Sequence, residues 1–266
     1  MKKVIISLAP VAASQPIDYS KLADDISQSI TNGAAICHLH SRNSEGQLQE
    51  DCTEMMECFV KVLSKTDVVV QASTGGISAM NIEQRCSPLE YKIVESCSLN
   101  GGSTNLGESI YKNSFSDIRY VAQKTCEKDI VPEIEVFDIG MIQAVEAISK
   151  ETPFVTPKVY NLVFGHPGGM QATIENLIAF KRFVPEDCIW GVTHFGRTNW
   201  DFLACAISMG AQVVRIGFED SDCLNSRTKD QATYNYELVE RLAVLIRAIG
   251  YEVASANEAR DILGIK

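Results

Sequence analysis

His38 and His40 stand one residue apart where an apolar run ends, in Gly33-Ala34-Ala35-Ile36-Cys37-His38-Leu39-His40-Ser41-Arg42. Successive side chains of a strand point to opposite faces, so both imidazoles project the same way and can share one ion. Neutral imidazole suits zinc, and a catalytic zinc takes three protein ligands and leaves a fourth position for water or substrate. A third donor is therefore expected elsewhere. Arg215-Ile216-Gly217-Phe218-Glu219-Asp220, read as a strand end, puts Arg215, Gly217 and Glu219 on one face, so Glu219 completes a His, His, Glu set. These donors favour zinc, with manganese or iron as other occupants. Glu133 and Glu135 share a strand face in Pro132-Glu133-Ile134-Glu135, Glu135 nearer the strand's end and Glu133 read as structural. His166 and His194 follow later strands, as alternative third ligands or as the lining of a substrate channel. Double glycines beginning at Gly75, Gly101 and Gly168 each follow a strand and would let an extended ligand approach backbone amides.

Short β-branched runs alternate with longer amphipathic ones throughout the chain, the signature of repeated βα units. Strands are predicted at 4–8, 34–40, 68–72, 96–99, 131–137, 160–164, 189–192 and 212–218. Helices are predicted at 19–31, 51–64, 88–95, 116–128, 141–149, 174–183, 201–209 and 231–249, with Asp51 capping the second. Eight such units in 266 residues read as one (β/α)8 TIM barrel domain covering the chain, with a short extra helix near 256–265. A doubly wound sheet would more often show fewer strands and an early Gly-x-Gly-x-x-Gly. Barrel active sites lie at the C-terminal ends of the strands, and all four histidines fall there.

Composition narrows the function. A net charge of -10 and the lack of a basic run argue against nucleic acid. No stretch approaches a membrane span, and the opening apolar run is too short for a secretory leader. Nine cysteines without Cys-x-x-Cys spacing fit reduced thiols in the cytoplasm.

At these residues the chain resembles the β-keto acid cleavage enzymes, the family that includes 3-keto-5-aminohexanoate cleavage enzyme. The resemblance runs through His38-Leu39-His40-x-Arg42, Gln71-Ala72-Ser73-Thr74-Gly75-Gly76, Ser98-Leu99-Asn100-Gly101-Gly102, Pro132 to Phe137, Phe164 to Met170, Gly196-Arg197 and Arg215 to Asp220. It implies a zinc-dependent barrel, one Zn2+ per chain, that takes a β-keto acid and acetyl-CoA to acetoacetate and a new acyl-CoA. It also implies a homo-oligomer, commonly a tetramer. On this sequence His38, His40 and Glu219 match the family's zinc ligands, and Ser73, Ser98, Glu135, Arg215 and Asp220 match active-site positions. Asp220 is then the expected base for the α-proton, oriented by Arg215, with Ser73 bonding the substrate carboxylate or oxyanion and Glu135 orienting a donor. Thr74, Gly75, Gly76, Ser98 and Asn100 are expected on the substrate side. Where the aminohexanoate enzyme has a glutamate for its substrate's amine, this chain has Ala12-Ala13-Ser14, which argues against a cationic substrate. His194-Phe195 replaces small apolar residues, and Ser98 stands where threonine is usual.

Two other readings compete. A metal-dependent hydrolase of amidohydrolase type also carries His-x-His in a barrel, but on strand one and with a lysine after strand four, which this chain does not match. A metal-dependent binding protein would leave the acids, arginine and serine at the strand ends without a role.

Overall fold

The computed structural model describes residues 2–13 and 15–266. Eight parallel strands form the wall: β1 (Lys3–Leu8), β2 (Ala34–Leu39), β3 (Val69–Ala72), β4 (Ser96–Asn100), β5 (Val131–Val136), β6 (Val159–Phe164), β7 (Ile189–His194) and β8 (Val213–Ile216). Each pairs with the next, and β8 returns to β1 through Ile5↔Val213 and Ser7↔Arg215, closing the barrel. The helices are α1 (Tyr19–Thr31), α2 (Thr53–Leu63), α3 (Ile82–Arg85), α4 (Phe115–Lys128), α5 (Ile139–Ile148), α6 (Ile174–Lys181), α7 (Asp201–Ser208), α8 (Asn235–Ala248) and α9 (Ala256–Leu263). No helix among the described residues is long and apolar enough to cross a membrane.

Strand alternation sorts the barrel interior into layers. At the bottom, Ile5, Ile36, Val69, Val131, Val159, Ile189 and Val213 form one apolar cluster with Ala259 and Leu263 of α9. Two residues further along the same strands stand Ser7, His38, Gln71, Glu133, Asn161, Gly191 and Arg215. The six with side chains are all buried and polar. The period of two thus turns a greasy floor into a polar middle within about 7 Å of strand rise. Between sheet and helices lies a separate core that includes Phe59, Phe164 and Phe180.

The predicted extra C-terminal helix is present as α9, and it stoppers the barrel from below. Its Arg260 donates from Nε to Glu95 at 2.5 Å and from both terminal nitrogens to Asp67 at 2.9 Å. Those acids precede β4 and β3, so the helix is tied to the bottom loops as well as packed against the floor. Burial of Leu263 contributes about 2 kcal/mol.

Most predicted boundaries shift by one or two residues, and three of the differences have a clear cause. The helix expected at 88–95 is replaced by α3 and a single 3-10 turn, Ser87–Glu90. Asn81 and Gln84 form a reciprocal cap that starts the helix earlier, and Pro88 lacks the amide that a helix interior needs. α8 begins at Asn235 because Gln231 pairs with Cys223 in a small hairpin. β8 stops at Ile216, because Gly217 adopts φ +143 and any Cβ there would lie 2.1 Å from the Ala9 carbonyl oxygen. A second hairpin, Thr104–Leu106 with Ser109–Tyr111, extends above β4.

Candidate active site

Three donors converge at the C-terminal ends of β2 and β8. His38 Nε2 and His40 Nε2 are 3.3 Å apart, and Glu219 Oε1 is 3.5 Å from His40 Nε2. The ligand atoms of His38, His40 and Glu219 all lie within 4.8 Å of one another. Bonds of ~2.0–2.1 Å at tetrahedral angles set ligand atoms roughly 3.3 Å apart, so this spacing fits one divalent ion. Glu219 arrives by a turn, not by strand alternation: its amide donates to Ala9 O at 3.1 Å, and the Asp220 amide donates to Gly217 O at 3.0 Å.

The imidazoles are prepared as ligands. Gln71 Oε1 lies 2.8 Å from His38 Nδ1, while Gln71 Nε2 donates to Ser96 Oγ at 3.1 Å and Ser96 Oγ donates to Val131 O at 2.8 Å. This chain across β3, β4 and β5 fixes the Gln71 amide, makes Nδ1 the protonated nitrogen and leaves the Nε2 lone pair facing the ion. Burial holds His38 down to about 3, so it is neutral at any ordinary pH. Gln71 is a supporting residue that the sequence reading passed over, although it shares the strand face of Ser73 and its position opposite His38 follows from register.

Arg215 gathers the acids. Its Nε and Nη2 bind Asp220 at 3.1 and 2.7 Å, its Nη1 binds Glu135 at 3.1 Å, and Nη2 is 3.6 Å from Glu219. Burial works against the Arg215 charge, but the three carboxylates hold its pKa well above the usual value. For Glu219 burial pushes upward, yet Arg215 and His40 outweigh it and keep the carboxyl well below its ordinary range. Burial dominates for Asp220, which is raised despite Arg215, and for Glu135, which is pushed up to about 7. Glu133 lies one layer below, accepts from Asn161 Nδ2 at 2.6 Å, and is raised by burial.

A cavity of about 540 Å3 opens above this cluster, with His40, Ser73, Gly76, Glu135, Arg215 and Glu219 on its wall. The other expected residues stand behind that wall. Ser98 Oγ lies 3.3 Å from Ser73 Oγ and accepts from the Thr74 amide at 3.3 Å, while Thr74 Oγ1 donates to Ser98 O at 2.6 Å. They brace Ser73, whose Oγ also accepts from the Gly75 amide at 3.2 Å. The Asn100 side chain is buried with no partner among the described residues. Asp220 is buried and meets the cavity only across Arg215.

The double glycines answer mainly to packing. A Cβ on Gly75 would lie 1.5 Å from the Tyr111 hydroxyl, and one on Gly168 would lie 2.5 Å from Asn105 O. Gly101 and Gly102 abut Val136 and Met141. Of these glycines only Gly76 reaches the wall of the main cavity.

The remaining histidines are not metal donors here. His166 lies on the cavity wall, stacked on Phe195 with ring centroids 3.9 Å apart, and burial holds it down to about 4. His194 packs edge-on to Phe202, its Nδ1 buried without a partner among the described residues. Ala13 lies on the wall, while Ser14 is outside the described residues.

The profile of the family described as "beta-keto acid cleavage enzyme" matches residues 3–265. The chain belongs to the β-keto acid cleavage enzyme family. It is 33% identical to a 3-keto-5-aminohexanoate cleavage enzyme from Fusobacterium nucleatum, over 100% of this chain and 99% of that protein. A 3,5-dioxohexanoate:acetyl-CoA acetone transferase from Paraburkholderia graminis is 25% identical over 100% of this chain and 96% of its own length. Among solved structures, the apo structure of ObcA superposes with a TM-score of 0.78 at 16% identity, covering 95% of this chain and 66% of that one. That likeness supports the barrel.

Proposed function

We propose that this member of the β-keto acid cleavage family is a zinc-dependent acyltransferase that converts a β-keto acid and acetyl-CoA into acetoacetate and a new acyl-CoA. The observation that carries the reading is one cavity faced by a His, His, Glu donor set and by Ser73, Glu135 and Arg215. The acetyl-CoA partner is supported by the transferase name of the Paraburkholderia relative. Zinc held by His38, His40 and Glu219 would act as a Lewis acid on the keto acid's oxygens and make its α-carbon more acidic.

The protein's own residues do the rest. The α-proton passes to Asp220 by way of Arg215, which stands between it and the cavity: burial raises the basicity of Asp220, and Arg215 compensates its charge and faces the developing enolate. Ser73 donates to the substrate carboxylate or the oxyanion, with Ser98 and Thr74 fixing its hydroxyl and Gly76 completing the substrate side. The enolate carbon attacks the acetyl thioester and CoA leaves as thiolate. The thiolate then attacks the original keto carbonyl, the old carbon–carbon bond breaks with its electron pair on the α-carbon, and that enolate takes back the proton held by the base and leaves as acetoacetate beside the new acyl-CoA. Glu135 is the second candidate for proton acceptor, favoured by its place on the cavity wall and a carboxyl raised to about 7.

The protein is further proposed to be cytoplasmic and a homotetramer, and its mass in solution by light scattering checks the latter. The deciding assay combines purified protein, acetyl-CoA and a panel of β-keto acids, with mass spectrometry for acyl-CoA products and zinc measured on the same sample. New acyl-CoA that disappears on chelation is the expected result. Glu219→Gln should lose metal and turnover together. Bound zinc without any acyl-CoA would turn the reading toward a hydrolase, tested with amides and lactones.

A further inference from the structure

The cavity wall limits what the variable group of the substrate can be. Its only carboxylates among the described residues are Glu135 and Glu219, and both stand in the cluster around Arg215, at 3.1 and 3.6 Å from its guanidinium nitrogens. No acid stands on the wall away from that cluster to receive an ammonium group. Arg215 itself faces three carboxylates. The other arginine on the wall, Arg42, follows the donor His40 by two residues and donates from Nη1 to Gly46 O at 2.9 Å. It therefore belongs to the reacting end, where the substrate's own carboxylate must lie.

Away from that end the wall changes character. Phe137, Val163, Phe195 and Leu106 line it, and His166 stacks on Phe195 with ring planes 17° apart and meets the Phe137 ring edge-on at 5.6 Å. The three rings make one continuous aromatic surface. A charged group pressed against it would lose its hydration with no partner to replace it, whereas an apolar group gains by leaving water.

We infer that the β-keto acid accepted here carries an uncharged, apolar group beyond its keto carbon, seated on the Phe137, His166 and Phe195 surface. This rests on the acyl-transfer reading above and names the substrate class for it.

The test uses zinc-loaded protein, acetyl-CoA and three acids of similar length: 3-oxohexanoate, its 5-amino derivative and 3-oxoadipate. Acyl-CoA formation is followed for each. The expected result is kcat/KM for 3-oxohexanoate about 30-fold or more above either charged acid. Phe195→Ala should lower that value by about 10-fold, chiefly through KM, with the charged acids little changed and the melting profile retained. Equal or faster turnover of the amino or the dicarboxylic acid would overturn the inference while leaving the reaction class standing. No acyl-CoA from any of the three, with zinc bound, would remove the reaction reading and this inference with it.

Discussion

Two buried arginines on neighbouring strand ends have opposite surroundings. Arg215, on β8, touches Asp220, Glu135 and Glu219. Arg197, in the loop after β7, is 1% exposed, yet none of its three guanidinium nitrogens finds a hydrogen-bond partner among the described residues. It lies instead over the Trp200 ring, 4.0 Å from the centroid, and burial lowers it to about 10. Its backbone is well held, since Ser221 Oγ donates to Arg197 O at 2.7 Å and the Gly196 amide to Asp220 O at 2.8 Å. Burial is thus common to both, and pairing is what separates them. Arg215 holds acids together; Arg197 contributes ring contact and a shaped loop.

The contrast is broken most directly at Arg215. Arg215→Met leaves three carboxylates facing one another, so it should destabilise the fold by roughly 3–5 kcal/mol in a denaturant titration and abolish turnover. A stable, active variant would show that the acids do not depend on it. Asp220→Asn keeps the size of the side chain beside Arg215 but removes the proposed proton acceptor. Zinc content should stay near that of the parent while turnover falls by about 100- to 10,000-fold. If Glu135→Gln instead abolishes α-proton exchange with solvent and Asp220→Asn does not, the acceptor is Glu135.

A pH series sharpens the other side. His166 and His194 are both held down to about 4, by burial first. Between about 4 and 6.5 the unfolded chain binds protons that the folded one refuses, so stability is full above pH 6.5 and is lost as pH falls through that window. Urea titrations from pH 7 to pH 4 should show the parent losing roughly 2 kcal/mol more than a His166→Gln, His194→Gln variant, allowing for the partial exposure of both rings; the comparison cancels the raised Glu135 carboxyl, which acts in the opposite direction. Arg197 is one reason that His194 stays neutral, so Arg197→Met should raise the His194 pKa by NMR and flatten part of this slope. Its effect on stability at neutral pH is the smallest expected, within about 1 kcal/mol, because the lost ring contact is offset by removing an unpaired buried charge. A loss like that of Arg215→Met would erase the distinction between the two arginines.

What could be read in the chain followed from periodicity. Alternation put His38 and His40 on one face and Glu133 and Glu135 on another, and the same alternation builds the polar layer observed above the floor. The repeating βα pattern predicted the barrel, and eight strands close it. Strand alternation places Glu219 on the face of Arg215, but Gly217 ends the strand, and it is the turn behind it that carries the carboxylate inward. Features that depend on distant partners were hidden. Gln71 acquires its role only from the His38 and Ser96 side chains across the sheet, and the glycine pairs acquire theirs from Tyr111, Val136 and Asn105. No local pattern marks Arg197 as unpaired, because pairing is a property of the folded neighbourhood.

The stopper made by α9 turns the barrel into a blind tube. In such a tube passengers leave in reverse order of boarding. A small acid that must rest near the donor set boards before a long thioester that fills the mouth, and whatever forms at the floor waits for the thioester to depart. Steady-state kinetics should therefore be ordered, with the acyl thioester released first and the small acid last.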